Sequence, residues 1–309
     1  MSHGHGHGHG GHAAGRAGDR RRLKVVLAVT GSILVVQLVG AWISGSLALL
    51  ADAGHMATDA AGIVLALGAS YVAALPSGRR ATFGWHRAEV LAALANAVVL
   101  VALCVYLAVA AAGRLLEPTE VAAGPMVGFA LVGLVANAVS LLVLSRSTTG
   151  SLNMRGATME VAADTLGSVV VVVAGVVIWT TGFDRADPIG SLLIAAMILP
   201  RAVALARDSV AVLLEAAPRD VRLDDVQAHL MRMPGVVDVH DLHAWTITTG
   251  LPSLSAHVTV TDEVLDERGV GAILDDLAGC TAAHFAVRHA TFQVEPASHR
   301  AHEDLGEAH

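Results

Sequence analysis

The chain has 309 residues, 54% of them hydrophobic and only 15% charged, a balance that excludes an ordinary water-soluble protein of this length. The formal net charge of -7 is unevenly spread: most acids follow Leu214, arginines cluster beside apolar runs, and nothing resembles a nucleic-acid-binding surface. Cys104 lies in an apolar run and Cys280 in polar sequence, so no disulfide framework is expected.

Residues 1–22 form a His/Gly-rich tail with His3, His5, His7, His9 and His12 and no apolar content, which predicts disorder. Its imidazoles either collect metal loosely or reflect composition alone. Arg20, Arg21, Arg22 and Lys24 then flank the first apolar run, which lacks a small-residue cleavage pattern and reads as retained. Six membrane spans are predicted within residues 23–213, at 23–43, 46–75, 86–114, 121–144, 157–181 and 188–209. The last is the weakest, because Pro200 and Arg201 interrupt it. Arg79, Arg80, Arg87, Arg146, Arg155 and Arg207 fall on the side of the N-terminal basic cluster, against Arg114 and Arg185 opposite. That bias predicts cytoplasmic N- and C-termini in the cell (inner) membrane.

From residue 214 the composition becomes that of a soluble domain. An amphipathic helix is predicted at 219–233, ended by Pro234–Gly235, then a hairpin of strands 236–249 and 253–260. A helix at 262–280 and a strand at 290–294 complete an αββαβ order, a small α+β domain over 214–296. Residues 297–309, with His299, His302 and His309, read as a polar tail.

The chemistry concentrates in SLALLADAGHMATD (46–59) and MRGATMEVAADTLGS (154–168). His55 and Asp59 are spaced i, i+4, as are Glu160 and Asp164, so each pair shares one helix face with Cβ atoms roughly 5–6 Å apart. Ionisable groups inside a span are costly without partners. Two helices offering two metal-capable side chains each can close one tetrahedral cage around a divalent ion. The bland reading is a buried salt-bridge cluster. Asp52 is either a carboxylate at the outer mouth or the cap of the second span. Gly54, Thr58 and Gly62 form a small-residue packing row, and Asn96 and Asn137 read as interhelical hydrogen-bond glue. Metal binding needs neutral histidine and ionised acids, so it should exchange with protons. An intramembrane metal enzyme would want an HExxH-like open site, which is absent, so no enzymatic activity and no resident cofactor are expected. A membrane-anchored metal sensor is the other rival, but an anchor has no need of paired ligands.

The chain also resembles the cation diffusion facilitators over nearly all of residues 23–296. The resemblance rests on SLALLADAGHMATDA, TFGWHRAEVLAALANAVVL, LNMRGATMEVAADTLGSV, ADPIGS, LLEAAP, VHDLHAWTITTG and HATFQVEP. It implies a homodimer in the lipid bilayer, each subunit an all-α domain of six transmembrane helices plus a ferredoxin-like αββαβ cytoplasmic domain. It implies export of Zn2+, with Cd2+ and Co2+, against protons, by alternating access. By position, His55, Asp59 and Asp164 match the family's transport ligands. Glu160 stands where many zinc-selective members have histidine, which loosens selectivity toward a Co2+, Mn2+ or Fe2+ exporter. His240, His257 and Glu295 are the positional candidates for a regulatory metal site in the cytoplasmic domain. His243, His284 and His289 lie near them, and Gln293 is a poor donor where some relatives carry histidine. His86 is a candidate loop ligand. For each of these histidines the plain alternative is an ordinary surface or core residue.

Overall fold

Six apolar helices fill the first two thirds of the chain: α1 (Ala28–Ser44), α2 (Leu47–Ala73), α3 (Arg87–Leu116), α4 (Ala123–Ser145), α5 (Leu152–Thr181) and α6 (Ala186–Leu213). The structure is a computed structural model and describes residues 28–145, 152–248 and 250–302. The His/Gly tail, the Arg20–Lys24 flank, the start of the first span, Arg146 and His309 lie outside the described residues, as does the side chain of Arg155. Helices α2 to α6 are long and apolar enough to cross a membrane by length and composition, and α1 adds a shorter apolar helix. The described residues fall into two units, residues up to Val64 with Ala95–Ala204, and Leu65–Leu94 with residues from Leu205 on.

The core of the first unit is made of small and branched residues: Ala48, Ala51, Leu107, Ala111, Ala130, Val171 and Ala202 are all buried. Small side chains let helices approach closely where apolar burial gives no net drive against lipid. At Gly62 a Cβ would stand 2.7 Å from the Asn96 amide nitrogen, and at Gly54 one would meet Leu103 at 3.0 Å. The small-residue row of α2 therefore packs on α3. Asn137 behaves as predicted, donating from α4 to Ser168 Oγ on α5 at 3.3 Å.

Helix α6 departs from its sequence reading. It runs unbroken through Pro200 and Arg201, where an interruption is predicted. Proline there forfeits one backbone hydrogen bond and crowds the preceding turn, but Ile198 and Ala202 beside it are buried in the helical core, and that packing keeps the helix continuous.

The start of α2 is fixed by a carboxylate from α6. Asp187, fully buried, accepts hydrogen bonds from Ser46 Oγ at 2.5 Å and from the backbone N–H groups of Leu47 at 2.8 Å and Ala48 at 3.0 Å. These are donors that a helix start leaves without partners, and an anion there also complements the helix dipole. Arg114 from α3 completes the charge at 3.2 Å and donates to the carbonyl of Gly45 at 2.7 Å.

In the second unit, α7 (Leu223–Leu230), β1 (Val236–Thr248), β2 (Leu251–Val260), α8 (Asp262–Phe285) and β3 (His289–Pro296) give the expected αββαβ order. The sheet order is β1-β2-β3, with β1 antiparallel and β3 parallel to β2. Helix α7 is shorter than the predicted 219–233, because Arg222 is still extended (φ -88°, ψ 115°). Helix α8 is longer than predicted and breaks at Gly269 (φ 73°). Strand β1 carries a bulge that puts Asp241 at φ 49°. Val239 and Ala244 are both buried although five residues apart, an odd spacing that strict alternation forbids and one extra bulge residue permits. Leu254, Ala256, Val258 and Val260 of β2 pack with Val226, Leu230, Ile273 and Leu277 of the two helices. Ala297–His302, in the predicted polar tail, forms a short 3-10 turn.

Asp187→Asn keeps the shape of the cap but removes the charge that faces Arg114. A loss of about 3 kcal/mol of stability is expected, read as a lowered thermal unfolding midpoint of the detergent-purified chain; an unchanged midpoint would mean the cap does not anchor α2.

Candidate metal centre

Three of the four spaced residues converge. His55 Nδ1 lies 3.4 Å from Asp59 Oδ2, and His55 Nε2 lies 3.7 Å from Asp164 Oδ1. One ligand atom from each of His55, Asp59 and Asp164 can be chosen so that all three lie within 4.8 Å of one another. Donors at about 2.1 Å from a tetrahedral zinc ion are separated by roughly 3.4 Å; one imidazole gives an ion a single nitrogen, so a set lying within 4.8 Å has to tighten to grip one. His55 Nδ1, Asp59 Oδ2 and Asp164 Oδ1 are buried and have no hydrogen-bond partner. Buried polar atoms are normally satisfied. Three such atoms at one point form a donor set without a recipient.

The arrangement follows from helical spacing. His55 and Asp59 stack one turn apart on α2, and Thr58 Oγ1 turns back to the carbonyl of His55 at 2.7 Å, leaving the imidazole to the α5 side. A cavity of about 270 Å3 adjoins the triad, lined by Asp59 and Asp164 together with apolar Leu34, Met56, Ile63 and Val161. A second space of about 70 Å3 lies on the other side, lined by His55, Asp52, Ile194, Met197 and Arg201.

Glu160 also lines the larger cavity, but it stands outside the triad. Its Oε2 is 3.5 Å from Arg201 Nη2 on α6. Arg201 is the residue that sequence reasoning missed at this site. A cation inside a span needs a partner, and the sequence reading, which puts Glu160 in the cage, leaves Arg201 without one.

Asp52 is corrected on both of its readings. It is not the cap of α2, a role taken by Ser46 and Asp187, and it is not at a mouth, since it is 1% exposed. Gln37 of α1 donates to it at 2.5 Å and Ser168 of α5 at 3.1 Å. Asp52 ties three helices together one turn from His55. The closeness depends on Gly167, where a Cβ would stand 2.6 Å from Asp52 Oδ1.

In the sheet domain the three positional candidates also meet. His240 and His257 are cross-strand partners on β1 and β2, with ring centroids 5.3 Å apart. Glu295 on β3 sits beside Thr259, two residues along from His257; its Oε1 is 3.1 Å from His257 Nδ1 and its Oε2 3.9 Å from His240 Nε2. Glu295 is buried, and Gln293 donates to it at 2.6 Å, so Gln293 serves as support for the carboxylate. The three offer ligand atoms within 4.8 Å of one another. His243 is exposed beside Asp241, His284 stacks against His229, and His289 meets Phe83 edge-on. His86 lines a cavity of about 750 Å3 with Arg80, Arg87 and His243, and among the described residues it joins no group of three metal-capable side chains. Both cysteines are free, and burial pushes the Cys280 thiol up, away from the thiolate that would bind metal.

The model of the cation efflux transmembrane domain matches residues 23–214, and that of the cation efflux protein cytoplasmic domain matches residues 218–297. The chain belongs to the cation efflux family. Among its curated relatives, the metal cation efflux system protein CzcD of Cupriavidus metallidurans is 39% identical over 278 residues, 90% of this chain and 87% of that protein. The zinc transporter ZitB of Escherichia coli is 38% identical over 279 residues, 90% and 88% of the two chains. The cadmium, cobalt and zinc/H(+)-K(+) antiporter of Bacillus subtilis is 32% identical over 294 residues, 94% and 93%. The chain is thus a multi-pass membrane protein of a transporter family that moves metal cations outward, and not an enzyme.

Gly167→Ala should force Asp52 away from α5 and destabilise the protein by about 1–3 kcal/mol. Gly156→Ala on the same helix, where a Cβ meets nothing within 4 Å, should be neutral or slightly stabilising. Thermal unfolding of the two variants side by side checks the contrast.

Proposed function

We propose that the chain exports Zn2+, with Cd2+ and Co2+ as further cargo, from the cytoplasm in exchange for protons. The observation that carries this reading is the convergence of His55, Asp59 and Asp164 with their unsatisfied donor atoms inside apolar helices. One nitrogen and two oxygen donors suit a borderline ion such as zinc, and a set of three leaves a position through which an ion enters and leaves. The printed names of the relatives, a zinc transporter and a cadmium, cobalt and zinc antiporter, point to the same cargo.

Proton coupling follows from the donor chemistry. A ligand set of one imidazole and two carboxylates must be deprotonated to hold the ion, so loading releases protons and acid expels the ion. Metal affinity therefore rises with pH, and a proton supply on the far side favours discharge. Alternating access through the cavity beside Asp59 and Asp164 would let one site face each side in turn. The arginine bias supports cytoplasmic termini for a protein of the cell membrane, and the match to the cytoplasmic domain of cation efflux proteins supports a homodimer. His240, His257 and Glu295 are suited to a second, regulatory ion, which would act only by binding two conformations unequally. The Co2+, Mn2+ or Fe2+ alternative draws on Glu160 as a fourth donor, a place it can take only by leaving Arg201.

Zinc flux into dye-loaded proteoliposomes tests the assignment. Asp59→Ala and Asp164→Ala should each reduce flux at least a hundredfold while the variants remain folded, as loss of a metal ligand does elsewhere at about 10–100-fold even for supporting groups. The half-saturating Zn2+ concentration of the parent should fall as the pH on the loading side rises. Parent-like flux in either variant would refute the site.

A further inference from the structure

The Glu160–Arg201 pair belongs to neither the helix scaffold nor the triad, and its position asks for a role. We propose that Arg201 is a tethered counter-ion of the metal site: it competes with the cargo ion for the carboxylate of Glu160, so that the two positions set affinity and release as one unit. The proposal rests on the metal-site reading above.

Glu160 has two claimants. On its own helix it is one turn from Asp164, and its carboxyl neighbours that of Asp59. It is nevertheless held at 3.5 Å by Arg201, outside the group of three. The pair straddles the site. Glu160 lines the larger cavity with Asp59 and Asp164, while Arg201 lines the smaller one with His55 and Asp52. Arg201 is accordingly an electrostatic neighbour of His55, Asp59 and Asp164 alike.

Charge accounting gives the pair its function. Around the ion itself, ionised Asp59, Glu160 and Asp164 carry three negative charges, and Arg201 reduces that sum by one, while Asp52 stands apart, bonded to Gln37 and Ser168. A neutral donor at position 160 would need no such counter-ion. The pair is also breakable. At 3.5 Å the contact is longer than a charge-assisted hydrogen bond, which leaves the carboxylate open to an arriving dication. An incoming ion that draws Glu160 inward frees the guanidinium, and on release the guanidinium takes the carboxylate back. Arg201 thus lowers affinity and speeds discharge. It is a positioning residue, since it touches the ligand carboxylate rather than the ion.

A double-mutant cycle on the full chain in dye-loaded proteoliposomes tests this, reading half-saturating Zn2+ and turnover separately. Arg201→Gln should lower the half-saturating Zn2+ on the order of tenfold and slow turnover, and Glu160→Gln should raise it. In the Glu160→Gln background, Arg201→Gln should have no further effect. Arg201→Lys, which keeps the charge, should stay near the parent. The proposal is overturned if Arg201→Gln leaves the half-saturating Zn2+ unchanged or raises it, or if it acts equally in both backgrounds. Should Arg201→Gln alone not fold, the double variant against Glu160→Gln carries the test, and unequal values overturn the proposal. Asp59→Ala separates the two levels: retained flux sinks the metal site itself, whereas lost flux with an additive cycle sinks only the counter-ion.

Discussion

The structure depends on one constraint: α2 places three ionisable side chains on one stripe of an apolar helix, and each must find a partner on another helix. Asp52, His55 and Asp59 recur at i, i+3 and i+7, the period of a single helical face. Asp52 takes Gln37 from α1 and Ser168 from α5, and Ser168 is in turn held by Asn137 from α4. His55 faces Asp164 on α5. These contacts fix the axial register of α2 against α5, and the Asp187 cap fixes where α2 begins. A polar group left alone in this setting costs several kcal/mol, so the stripe and its partners select one arrangement of otherwise featureless alanine-rich helices.

The same residue type does different work along that stripe because its surroundings differ. Asp52 is engaged: its Oδ2 accepts two side-chain hydrogen bonds. Asp59, about two turns further along α2, and Asp164, about one turn from Ser168 on α5, each keep a buried oxygen with no hydrogen-bond donor. A satisfied carboxylate holds helices together, whereas unsatisfied ones beside an imidazole form a binding site in waiting. That contrast separates scaffold from candidate ligand where spacing alone treats Asp52, Asp59 and Asp164 as equals. It also explains the glycine opposite Asp52, since an engaged carboxylate at an interhelical contact requires the backbone of α5 to come close.

Features with a local period were legible in the sequence. The i, i+4 pairs, the six apolar helices and the αββαβ order each rest on periodicity of a few residues, and the helices appear where that pattern puts them. Features that need two distant segments were not. Pro200 and Arg201 read as damage to a span, because nothing local says that α6 lies against Glu160. Asp187 was visible only as part of the ADPIGS stretch, since capping the start of a helix some 140 positions earlier in the chain leaves no local trace. The bulge at Asp241 and the break at Gly269 escaped for a related reason: one extra residue in a strand, or one glycine in a helix, is a small perturbation of a pattern that is otherwise intact.

The two donor sets differ in one respect that bears on transport. His240, His257 and Glu295 stand on three strands joined by backbone ladders, so their spacing cannot change without disturbing the sheet. His55 and Asp59 stand on one helix and Asp164 on another, and those helices meet through small side chains and a few polar ties. Separating the triad breaks side-chain ties such as that of Ser168 to Asp52 but leaves the backbone hydrogen bonds within both helices in place. An ion that must be released needs ligands that can separate at low cost, and an ion that reports on its concentration needs ligands that stay put. One imidazole and two carboxylates on helices in the first unit, and two imidazoles and one carboxylate on strands in the second, thus differ in the stiffness of the elements that carry them.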